Sequence, residues 1–112
     1  MTEAELYTAL SSVCQTAYAA FRKAVEPPFI CYRFADSADL MADDENYVPI
    51  SGFDVEVYTE KKDLTLEADL TAVLKSLGLT WTRAELWIEE ERLVEVVYSI
   101  EAVMAEASDD SS

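Results

Sequence analysis

The chain has no histidine among its 112 residues. That removes the commonest general base and the commonest zinc ligand together. Glycine occurs only at Gly52 and Gly78. Two glycines leave no loop to cradle a phosphate and no dinucleotide fingerprint. Cys14 and Cys31 are the only cysteines, and no Cys-x-x-Cys occurs. Both read as small buried hydrophobes rather than as a disulfide. No Gly-x-Ser-x-Gly is present, and a serine nucleophile would have no histidine to activate it. Neither an enzyme nor a cofactor is therefore expected. Bases are scarce as well: 8 Lys and Arg face 23 Asp and Glu, for a net charge of −15. Adhesion to a nucleic-acid backbone needs clustered cations, and this chain lacks them. DNA passing nearby would be repelled and would slide. No apolar run approaches the ~20 residues of a membrane span. The acidic, amphipathic start does not read as a signal peptide, so a reducing cytoplasm is the expected site of synthesis.

What is present is a folding pattern. Hydrophobic residues make up 51% of the chain, enough for one ordered domain over residues 1–106, with 107–112 as a disordered acidic tail. Thr2 and Glu5 form a capping box. Leu6, Leu10, Val13, Ala17, Phe21 and Ala24 follow at helical spacing, so a first helix is expected from the cap to Ala24, ended by Pro27 and Pro28. Phe29–Phe34 reads as a first strand, with Phe29 and Cys31 on one face and Ile30, Tyr32 and Phe34 on the other. A second strand runs from near Tyr47 to Thr59, where Phe53, Val55 and Val57 alternate with Asp54, Glu56 and Tyr58. A second helix covers Leu64 to Leu77, with Gly78 as its left-handed terminator. Residues 82–89 and 92–104 alternate again and form a hairpin. The expected class is α+β in the order α-β-β-α-β-β: a four-stranded, mostly antiparallel sheet with two helices on one face.

The acidic runs invite a chemical reading. Glu89, Glu90 and Glu91 adjoin a strand end, and Asp43, Asp44 and Glu45 sit in a predicted loop. Adjacent acids in water-facing segments are solvated unless their environments split their pKa values. The loop acids lack the DxDxDG spacing of a calcium site. No metal site is expected. Trp87 lies opposite Leu86 and Ile88 in the alternation and is expected to join Tyr58 in an exposed aromatic patch.

Three segments carry a family resemblance: PPFICYRFADSADLMADD (27–44), VEVYTEKKD (55–63) with its helix, and AELWIEEERLVEVVYSIE (84–101). Together they resemble the tail terminator proteins of siphophages and prophages of Gram-positive bacteria, also called tail completion or head–tail joining proteins. The resemblance implies an α+β protein that catalyses nothing. It implies a ring, typically a hexamer, that caps the tail tube and joins the filled head. The partners would be the chain itself, the major tail tube protein, and head-completion or connector proteins. DNA would pass without specific binding, and the finished location would be the virion. A closed ring needs heterologous, head-to-tail contacts. The expected contact residues are Tyr32 and Phe34 of the first strand, Asp36, Asp39, Asp43 and Asp44 of the acidic segment, and Tyr58 and Trp87. Lys61, Lys62 and Arg83 are added because a chain this acidic must neutralise repulsion wherever subunits meet. Three readings compete: another neck component of the particle, a monomeric acidic module that mimics DNA, and a small metal-dependent enzyme.

Overall fold

In the computed structural model, residues 1–37, 40–41 and 47–104 are described. Helix α1 spans Glu3–Ser11 and α2 spans Leu64–Ser76. The strands are β1 (Thr16–Tyr18), β2 (Phe29–Ser37), β3 (Leu40–Met41), β4 (Tyr47–Val48), β5 (Ile50–Thr59), β6 (Trp81–Ile88) and β7 (Leu93–Val103). One sheet has five strands in the order β1-β2-β5-β7-β6, and β3 pairs with β4 alone. The α+β class stands. The expected four strands become five in the main sheet, and the fifth comes from a segment read as helix.

That segment is the principal correction. Helix α1 stops at Ser11, well short of Ala24. The Ser12 hydroxyl turns back onto the Ala9 carbonyl at 2.6 Å, a bond that competes with helical continuation. Val13 and Thr16 follow, both β-branched and stiff in a helix. Thr16, Ala17 and Tyr18 instead run parallel to Ile30, Cys31 and Tyr32. Gln15 fixes the return: its side-chain amide donates to the Glu26 and Pro28 carbonyls at 2.6 and 3.1 Å.

The remaining elements form for the reasons read from their residues. Thr2 and Glu5 exchange bonds of 2.9 and 3.1 Å at the start of α1. Asp63 caps α2 by accepting from the Leu66 amide at 3.0 Å. At the other end Gly78 adopts φ +76°. Its N–H reaches the Lys75 carbonyl and that of Leu79 reaches Leu74, at 2.9 and 3.0 Å, a Schellman closure. Strand β5 is antiparallel to both β2 and β7, and β6 pairs antiparallel with β7.

Register then sorts the side chains. Ile30, Val57, Val96 and Glu85 align across the sheet, as do Tyr32, Val55, Tyr98 and Arg83. These rows face the helices, because Leu6 and Leu10 of α1 and Leu66, Leu70 and Leu74 of α2 share one core with them. The second face carries the rows Phe29–Tyr58–Glu95–Leu86 and Cys31–Glu56–Val97–Ala84. No helix covers it. Both cysteines are free, with Cys31 buried and Cys14 half-buried. Among the described residues, no helix is long and apolar enough to cross a membrane.

Candidate interaction surfaces

The uncovered face has two ends with different chemistry. At the end where β2 and β7 begin, Phe21 packs edge-on to Phe29, and Phe29 stacks on Tyr58 with ring centres 4.9 Å apart. The Tyr58 hydroxyl lies 3.1 Å from both Glu56 and Glu95. It has one proton and can donate to only one of them at a time. Burial, then the two carboxylates, push the phenol far above its ordinary value. Glu56 is buried at 6% exposure and pairs with Arg33 at 3.0 Å. Burial raises its carboxyl, while the Tyr58 bond and Arg33 oppose the rise.

Beside this stack lies an open groove of about 880 Å3. Phe29, Ile88 and Leu93 give it apolar surface, and the 19–27 segment forms one wall. Lys23, Lys61 and Arg92 line it together with Glu60 and Glu91. Arg92 holds φ +56° in the β6–β7 turn, a left-handed backbone uncommon for a residue with a side chain.

The opposite end carries a hollow of about 440 Å3 lined by Asp36, Asp54 and Glu101 and by no base. Asp54 accepts from the Ser99 hydroxyl at 3.0 Å. Gly52 is buried here opposite Asp36 and Glu101. A Cβ at position 52 would run into the Asp36 carboxylate, so the close approach uses glycine.

The predicted contact residues are dispersed. Tyr32 is a core residue of the single chain, packed edge-on against Tyr18. Phe34 is 48% exposed at the far end of β2. Asp36 lines the acidic hollow and Lys61 the groove. Lys62 and Arg83 are engaged internally: Lys62 meets Glu67 at 2.9 Å and Glu85 at 2.6 Å, and Arg83 meets Glu67 at 3.5 Å. Asp39, Asp43 and Asp44 lie outside the described residues. So does the predicted tail at 107–112.

Trp87 and Tyr58 do not form one patch. Trp87 pairs with Val94 and Tyr58 with Glu95, so the two rings leave the sheet on opposite faces. Trp87 is 51% exposed and its indole N–H donates to Glu89 at 2.8 Å. Sequence reading missed the groove, which gathers three separated segments. Its only linear trace was Phe21 and Phe29 flanking the two prolines.

Among the described residues, no three His, Cys, Asp or Glu side chains converge to hold a metal ion. No protein-family model and no curated protein matches this sequence. Among solved structures, the fold is similar to a chain described as the virion of a native gene transfer agent (GTA) particle. The TM-score is 0.56 at 16% identity, over 83% of this chain and 81% of that one. At that identity the likeness shows a fold, which in this chain is two helices on one face of a mixed sheet.

Proposed function

We propose that this chain is a structural protein of a phage-like particle, a ring-forming tail terminator at the head–tail junction. It works through shape and repeated self-contact and has no reactive centre. One observation carries the reading: the fold follows a chain of a gene transfer agent virion across most of both polypeptides. The sequence resemblance of residues 27–44, 55–63 and 84–101 to tail terminators narrows the position within the particle. The charge of −15 suits a passage for DNA, since carboxylates facing a pore repel the phosphate backbone. On this reading the chain is made in the bacterial cytoplasm and ends in the virion. Its partners there are other copies of itself, the tail tube protein and a head-completion or connector protein.

The test is deletion of the gene in the phage or prophage that encodes it. The expected result is separate filled heads and tails that do not join, with tail tubes of irregular length. Restoring the gene restores joined particles, and a tagged copy labels the junction in electron micrographs. Normal joined particles without the protein would end the proposal. Uniform tails with open, leaking heads would favour a head-closure component instead.

A further inference from the structure

We propose that successive copies of this chain associate head to tail, with the groove end of one copy seated against the acidic hollow of the next. The inference deepens the ring reading above and rests on charge placement. Of the 8 bases, Arg33, Lys62 and Arg83 are consumed by ion pairs inside the chain. Among the described residues, five have no such partner. Four of these are Arg22, Lys23, Lys61 and Arg92, all exposed. Three of the four line the groove, and Arg22 adjoins Lys23 on its wall. The fifth, Lys75, is in the last turn of α2.

The other end of the uncovered face presents Asp36, Asp54 and Glu101 with no cation. Glu60 and Glu91 accompany the bases at the groove, so that end is mixed in sign. It is nonetheless where a chain with 23 acids concentrates its uncommitted cations. Two copies meeting acidic end to acidic end would repel. The acidic end meeting the groove end brings opposite charges together beside apolar surface from Phe29, Ile88 and Leu93. Because the two surfaces are different and lie at opposite ends of the strands, the contact is heterologous. A heterologous contact closes into a ring when its rotation allows.

The experiment uses the full chain and two double variants, Lys23→Glu with Lys61→Glu, and Asp36→Lys with Glu101→Lys. All four positions are exposed and none forms an ion pair among the described residues, so the fold should hold; circular dichroism checks it. Sedimentation equilibrium at low ionic strength measures self-association of each protein and of an equimolar mixture of the variants. The wild type is expected to associate, and the difference between it and each variant should shrink as salt rises. Each variant alone should weaken association by about a hundredfold or more. The mixture should restore it, because each reversed end then meets a complementary one.

Variants that associate like the wild type would overturn the proposal. So would a mixture that stays monomeric, or a wild-type chain that is monomeric at every concentration and salt. An effect of the groove variant with none of the acidic-end variant would point to a symmetric contact or a different acidic partner, and would also overturn it. The deletion phenotype is read separately. Unjoined particles with failed charge reversal would leave the tail terminator standing and remove this interface. Restored association with normal particles would do the reverse.

Discussion

The two faces of the main sheet are held by different kinds of interaction. The helix-covered face is almost wholly apolar, with Ile30, Val55, Val57, Val96, Tyr98 and Ile100 all at 4% exposure or less. Its charges sit at the margin, where Lys62, Glu67, Glu85 and Arg83 link α2 to β6. The other face mixes Arg33, Glu56, Tyr58 and Glu95 with Phe29 and Cys31, and leaves Leu86 54% exposed. The first face spends its side chains on stability. The second carries the charged and hydroxyl groups, and the groove and the acidic hollow lie on it.

A pair of leucines measures that contrast. Leu70→Ala empties a site at 0% exposure between α2 and the sheet. It should cost about 2–5 kcal/mol, read as a lower urea midpoint with an unchanged slope. Leu86→Ala removes the same atoms from the uncovered face of β6. It should change stability by no more than about 0.5 kcal/mol. Equal losses at the two sites would mean that the second face also belongs to the folding core.

Smaller effects should follow at the ends of α2. Asp63→Ala deletes the acceptor of the Leu66 amide and should cost about 1 kcal/mol. Gly78→Ala has open space around the added carbon but places it at φ +76°. That strain should also cost about 1 kcal/mol in thermal or urea unfolding. Neither change touches the uncovered face, so neither should alter self-association.

The Thr2–Glu5 capping box and the Gly78 terminator were legible in the sequence because their partners lie three to five residues away. So were β6, β7 and the run of β5 from Ile50, whose alternation survives into the sheet, and the stripe of Leu66, Leu70 and Leu74; the expected start of that strand near Tyr47 belongs instead to β4, which pairs with β3. The end of α1 was not. Ala17 and Phe21 fit a helical stripe, yet Ala17 pairs with Cys31 and Phe21 packs on Phe29. Both outcomes depend on β2, a partner the local pattern does not contain. The faces of Trp87 and Tyr58 were illegible for a related reason. A shift of one residue in register flips a side chain across the sheet, and only the pairing of β6 and β5 with β7 fixes it. Among the candidate contact residues, charge alone could not tell Lys61 at the groove from Lys62 in the α2–β6 ion pairs.

Glu56 offers the subtlest way to separate the faces. Burial raises its carboxyl above the ordinary glutamate range. The folded chain therefore holds a proton there more readily than the unfolded chain does. Its contribution to stability is fully present below the unfolded value of about 4.3 and is lost as pH rises through the higher folded value. The wild type should accordingly lose stability relative to Glu56→Gln as pH is raised from 4 towards neutrality, because glutamine does not titrate. Arg33 opposes the rise at Glu56. Arg33→Ala should therefore extend the same loss to higher pH, by an amount that salt screening at a half-exposed arginine keeps small. Urea unfolding at several pH values reads all three proteins. A wild-type minus glutamine difference that stays flat, or grows in favour of the wild type as pH rises, would show that Arg33 and Tyr58 outweigh burial. The second face would then be a source of net electrostatic stability at neutral pH, and its contrast with the helix-covered face would rest on exposure alone.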